Sequence, residues 1–127
     1  MLVTGHRGFI GAALARRLLE AGADVRGISR AAGGGEKGPF PVVLGDLSNL
    51  DDCRRALALT KPECILHLAG HPFGARDLER VLPTLRDNLV ATVNLLTTAA
   101  EARIGRVVIT GSLEEPDEAA DPIPSSP

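Results

Sequence analysis

The chain has no tyrosine, no tryptophan and only three phenylalanines in 127 residues. It has two cysteines, Cys53 and Cys64, which cannot make a disulfide framework. Cys64 lies in an apolar run and reads as a small buried side chain. Neither sign of charge dominates: 14 basic side chains stand against 16 acidic ones, for a formal net charge of −2. Nothing in that balance points to nucleic acid, and Arg16 and Arg17 start no long basic run. No apolar stretch approaches the roughly 20 residues that cross a bilayer. With glycines from position 5 onward, the opening residues do not resemble a secretory leader, and none is expected. Cys53, Cys64, His67 and His71 are spaced for no compact metal site. The expectation is a cytoplasmic protein without a metal, a membrane or a nucleic-acid partner. Apolar residues still make up 44% of the chain, enough for the core of one modest domain.

What is present is an alternation of short apolar runs and amphipathic stretches. Leu2 to Thr4 reads as a strand. Residues 9 to 21 read as a helix, with Ile10, Ala13, Leu14 and Leu18 on its apolar stripe and Gly22 as its stop. Val25 to Ser29 is a second strand and residues 41 to 45 a third, joined by a glycine-rich loop too short for a crossover helix. Ser48 or Asn49 caps a helix that runs to about Leu59. Residues 63 to 70 are a fourth strand. A long helix ends at Ala102, beginning at Leu78 or Pro83, with a seam of Leu85, Leu89, Leu96 and Ala100 and with Thr92 and Val93 between. Residues 106 to 110 are a fifth strand. Apolar strands alternating with helices predict an α/β fold with a parallel sheet covered on both faces.

Gly5, Gly8 and Gly11 fall between the first strand and the first helix. Three glycines alone suit a plain tight turn as well as a phosphate site. The strand before and the helix after favour the phosphate, because a helix start offers unpaired N–H groups and partial positive charge. Gly5 would allow the turn, Gly8 the close approach of a pyrophosphate, and Gly11 tight packing of helix on sheet. No Lys-Ser/Thr follows, which argues against a nucleoside-triphosphate loop. In nicotinamide dinucleotide sites an acid ends the second strand and holds the adenosine ribose. Here Ser29 stands in that place with Arg30 behind it, and His6 and Arg7 add donors in the first loop. With no carboxylate at that position, NADP is favoured over NAD as the cofactor.

The ordered segments resemble a known family. TGHRGFIG (residues 4 to 11) is similar to the TGxxGxxG signature of extended short-chain dehydrogenases/reductases, the NAD(P)-dependent epimerase/dehydratase group. GDLSN (45 to 49), HLAG (67 to 70), NLVATVNLL (88 to 96) and RVVITGS (106 to 112) resemble further family segments in the same order. The resemblance implies a Rossmann-type sheet of five strands in the order 3-2-1-4-5, incomplete, over residues 1 to 112. It implies that Gly5, His6, Arg7, Gly8, Phe9, Ile10 and Gly11 meet the cofactor, with Ser29 and Arg30 at the ribose. Asp46 and Leu47 would border adenine. Leu68, Ala69 and Gly70 would pass beside the pyrophosphate and the nicotinamide ribose. Asn88 would lie near the cofactor, with Ala91 where the family has glycine.

Catalysis in the family uses a serine or threonine and a Tyr-x-x-x-Lys pair. Ser112 falls at the first of these, with Thr110 as a weaker substitute. No tyrosine is present, and the only lysines are Lys37 and Lys61. Residues 113 to 127, ending PIPSSP, resemble the loop that leads to that tyrosine. The resemblance therefore implies the cofactor half of a longer NAD(P)-dependent epimerase, dehydratase or reductase of nucleotide sugars. The 127 residues alone would then be inactive, and the intact enzyme a homodimer built through the long helix. A reductase of small carbonyl compounds and a noncatalytic dinucleotide sensor are the other expectations.

Overall fold

The computed structural model describes residues 1–31, 39–71 and 78–111. Ser112 and the expected loop at 113 to 127 lie outside them. Five strands form one sheet: β1 (Leu2–Thr4), β2 (Arg26–Ser29), β3 (Val42–Leu44), β4 (Cys64–His67) and β5 (Arg106–Ile109). The order is β3-β2-β1-β4-β5 and every pairing is parallel. β1 lies centrally, with Leu2 opposite Arg26 on one side and Ile65 on the other. The order expected from the sequence is the order observed. No helix among the described residues is long and apolar enough to cross a membrane.

Successive residues of a strand point to opposite faces, and β1 divides the core accordingly. Leu2 joins Ile28, Leu47, Cys53, Leu57, Ile65 and Leu95 beneath α2 (Leu50–Thr60) and α4 (Ala91–Glu101). Val3 joins Ala15 and Val25 beneath α1 (Phe9–Glu20). Burial pushes the Cys53 thiol up to about 11, aided by the charges of Asp52 and Asp46. It behaves as a core side chain. The Asn49 side chain caps α2 by accepting the N–H groups of Asp51 and Asp52 at 2.9 and 3.1 Å. The doubly bonded pair Arg54–Glu101 ties α2 to α4.

Two helix faces differ from expectation. In α1 the buried residues are Gly11 and Ala15, with Leu18 and Leu19 partly covered, while Ile10 and Ala13 are exposed. In α4 the sheet is met by Ala91, Leu95, Thr98 and Ala99, while Leu96 and Ala100 of the expected seam face outward. The reason is the same in both cases. Small residues let a helix lie close on a sheet, so Gly11 and Ala15 in α1, and Ala91 and Ala99 beside Leu95 in α4, form the contact with the sheet. The long helix is also not uniform. α3 (Leu78–Thr84) holds Pro83, and a π-helical segment, Leu85–Val90, separates it from α4.

Leu95 is 1% exposed and Leu96 is 39% exposed. Replacing Leu95 by Ala is expected to cost about 2–5 kcal/mol, read by urea unfolding. A smaller loss for Leu95→Ala than for Leu96→Ala would reverse the assignment of the inner face.

Candidate coenzyme site

Gly5 leaves β1 with φ +66, in the left-handed region. A Cβ there would also stand 2.6 Å from the backbone of Leu68 and Ala69. The turn closes through the Gly8 N–H, which donates to the Gly5 carbonyl at 2.9 Å. Gly11 then packs on that carbonyl so closely that a Cβ would fall 2.1 Å from its oxygen. No other residue type fits this contact. It brings the start of α1 over the ends of β1 and β4, where the strand order reverses, which is where parallel sheets bind ligands.

The start of α1 is electrostatically open. Gly8 gives it no side-chain cap, and its first turn holds no acid. In contrast, α2 is capped by Asn49 and carries Asp51 and Asp52 in its first turn. An uncapped helix start attracts an anion. In front of it is a cavity of about 260 Å³ lined by Gly5, His6, Arg7 and Gly8, and by Ser29 and Arg30 from the end of β2. Asp46 and Leu47 line it after β3, and Leu68, Ala69 and Gly70 after β4. Eleven residues singled out in the sequence are therefore brought to one crevice.

The other expected site residues are placed differently. The side chains of Phe9 and Ile10 are 95% and 64% exposed and do not line the cavity. Their N–H groups belong to the uncapped start of α1. Gly11 acts through packing. Asn88 does not line the cavity either: its Oδ1 accepts the His71 N–H and its Nδ2 donates to the His71 carbonyl. It fixes the chain just after Gly70. His6 does not reach outward as a donor. It is buried edge-on against Phe40 at 5.4 Å between centroids, over Gly27, and its Nδ1 has no partner. Burial, then the Arg7 charge, holds its pKa below 6.5 against a backbone hydrogen bond at Val3.

Three features were not read from the sequence. First, Ile28, Gly45, Asp87 and Ala91 also line the cavity. Second, three consecutive residues of the π segment each grip a different loop. Arg86 bonds Asp46 and Ser48 after β3, Asp87 bonds Arg30 after β2, and Asn88 bonds His71 after β4. Burial raises the Asp46 pKa, but hydrogen bonds from the Ser48 N–H and hydroxyl, with the Arg86 and Arg30 charges, bring it below the usual value.

Third, His67 is buried in a closed hydrogen-bond chain. Thr4 Oγ1 accepts the N–H groups of Leu68 and Ala69 at 3.2 and 3.1 Å, so its own hydrogen goes to His67 Nδ1 at 2.7 Å. The Thr92 hydroxyl donates to the Asn88 carbonyl at 2.6 Å, so its oxygen accepts from His67 Nε2 at 2.9 Å. The donors and acceptors balance only for a neutral imidazole protonated on Nε2. Burial likewise lowers the His67 pKa. Among the described residues no cluster could hold a metal ion.

A model of the NAD dependent epimerase/dehydratase family matches residues 1–126. The chain belongs to this family. It is 32% identical over 110 residues to the CDP-glucose 4,6-dehydratase of Salmonella typhimurium, covering 80% of this chain and 30% of that protein. It is 35% identical over 115 residues to a putative dihydroflavonol 4-reductase of Synechocystis, covering 87% and 32%. Among solved structures it resembles the Thermus thermophilus UDP-glucose 4-epimerase complex with NAD, with a TM-score of 0.74 and 26% identity over 84% of this chain and 35% of that one. A short-chain dehydrogenase/reductase superfamily protein from Agrobacterium tumefaciens with bound NAD gives 0.71 and 27%, over 85% and 31%. The chain spans about a third of the length of the relatives it matches.

Two outcomes test this geometry. Gly11→Ala is expected to lose about 1–3 kcal/mol through overpacking against the Gly5 carbonyl, measured by denaturant unfolding. A neutral effect would mean that the turn and helix do not touch. For His67 and His6 the folded pKa lies below 6.5. As pH falls below that value the unfolded chain takes up protons first, so stability is full above it and drains away toward the folded pKa. The unfolding midpoint should drop over that window, with a shallower slope in His67→Gln. An unchanged slope in that variant would contradict a neutral buried His67.

Proposed function

We propose that these residues bind a nicotinamide dinucleotide for an epimerase or dehydratase acting on a nucleotide sugar. The observation that carries this reading is the uncapped start of α1 opening on the cavity of Gly5 to Gly8. The pyrophosphate would receive the N–H groups of that helix start, including those of Phe9, Ile10 and Gly11. Leu68, Ala69 and Gly70 would run along the nicotinamide side. The adenine would lie toward Asp46 and Leu47, and Asn88 would serve by fixing the loop after Gly70. The substrate class is supported by the similarity to enzymes named for CDP-glucose and UDP-glucose.

The coenzyme supplies the hydride chemistry. This chain would supply orientation, with Ser112 as the hydroxyl that hydrogen-bonds the substrate oxygen. With no tyrosine in the 127 residues, the family's proton-abstracting phenol is not among them, and we infer binding without turnover. Ser29 and Arg30 support NADP. NAD is supported by the family's description, by the bound NAD of the two structures above and by the pairing of Arg30 with Asp87. The similarity to a putative dihydroflavonol 4-reductase supports a second reading, reduction of a small carbonyl compound. Leu78, Leu82, Leu85, Leu89, Val93 and Leu96 form an exposed apolar row on one helical rod and support a homodimer. Two free thiols suit a cytoplasmic setting.

With no tryptophan or tyrosine in the chain, bound NADH can be followed by its own fluorescence with little protein background. Saturable enhancement is expected for the purified chain. Folded protein that leaves NADH emission unchanged at all concentrations would overturn the coenzyme reading.

A further inference from the structure

We propose that Asp87 is a specificity-determining residue: by holding Arg30 it makes the site accept NAD and turn away the 2′-phosphate of NADP. The proposal rests on the coenzyme reading above. At the end of β2 an acid selects NAD by bonding the ribose hydroxyls, whereas an arginine there can receive a 2′-phosphate. β2 ends in Ser29 and is followed by Arg30, so the local sequence has the arginine and lacks the acid. The structure supplies a carboxylate from elsewhere. Arg30 Nη1 donates to both carboxylate oxygens of Asp87, at 3.1 and 3.2 Å, across 57 positions of sequence. Both residues line the cavity that also holds Gly5 and Gly8.

The pair is asymmetric in a way that matters. The Asp87 side chain is 19% exposed and the Arg30 side chain is 60% exposed. The anion is therefore seated in the fold and the cation swings from the surface to meet it. Asp87 is also fixed along the chain, because Arg86 before it and Asn88 after it are bonded to the loops after β3 and β4. Arg86 is itself committed to Asp46 and Ser48. A 2′-phosphate, with a charge of about −1.5 to −2, would have to take Arg30 from Asp87. It would also leave an unpaired carboxylate beside it. A 2′-hydroxyl meets neither obstacle, and it can donate to a carboxylate.

The test is parallel fluorescence titration of the full chain with NADH and NADPH. The wild type is expected to prefer NADH. Asp87→Asn frees Arg30 and should move the ratio of the two dissociation constants toward NADPH by about tenfold or more, the worth of one charge-assisted hydrogen bond. Asp87→Glu should restore the NADH preference. Arg30→Gln, which does not depend on Asp87→Asn folding, leaves the carboxylate unpaired and should move the ratio of the two dissociation constants further toward NADH by about tenfold. If both coenzymes bind and either Asp87→Asn or Arg30→Gln leaves the ratio unchanged, the proposal is overturned and the coenzyme reading stands. If the folded wild type binds neither coenzyme, both fall.

Discussion

Everything at the site depends on the absence of a side chain at Gly11. Its contact with the Gly5 carbonyl sets the height of α1 above the sheet, and so sets where the free N–H groups of the helix start are aimed. Gly5 meets the backbone of Leu68 and Ala69 on its other side. One turn is thus held between a helix and the exit of β4, and the crevice is the space these contacts leave. Burial of Thr4 and His67 directly beneath it makes the floor rigid, because each polar atom there already has its partner.

The roof is built on a different principle. The π segment contributes little to the core, since none of its residues is buried. Its role is polar. Arg86, Asp87 and Asn88 bind the three loops that leave β3, β2 and β4, so one short stretch of helix joins the rim of the crevice around most of its length. Exposed ion pairs are individually weak. These gain from sharing one backbone, because ordering one side chain partly orders the next. The same stretch brings opposite charges to the mouth in matched pairs, Arg30 with Asp87 and Arg86 with Asp46.

The strands and the glycine turn were legible in the sequence because each is local, whereas the sheet order came from the resemblance of the ordered segments to a known family. Strands showed as apolar runs, and the turn showed as glycines at fixed spacing before an amphipathic stretch. The inner face of α1 was misread, and the seam of the long helix was left open between core and subunit contact, because hydrophobic pattern weights leucine and isoleucine, while close packing on a sheet selects Gly11, Ala15, Ala91 and Ala99. The π segment shifted the phase further: a seam counted at regular helical spacing through Leu85 and Leu89 does not continue onto the buried face of α4. Asp87 was hidden for another reason. Its partner Arg30 is remote in sequence, and no spacing rule joins an acid on a helix to an arginine beyond a strand. Asn88 was noticed for its neighbours in the motif, yet its work is on the His71 backbone. His67 was noticed only as part of HLAG, and its hydrogen-bond partners come from β1 and α4.

A π turn bonds i to i+5 where an α-helix bonds i to i+4, so it accommodates one residue more than a regular helix in the same length. Deleting a single residue between positions 85 and 90 would let the rod revert to an unbroken α-helix, the more regular hydrogen-bonded form. The stretches on either side would keep their relative facing, because the π turn absorbs its extra residue in place, and only the side chains within the turn would be re-aimed. Arg86, Asp87 and Asn88 lie in that turn, so their hold on the loops after β3, β2 and β4 would be lost together, through a deletion that removes no buried side chain. This stretch, with no buried side chain of its own, is constrained by its length more than by its burial.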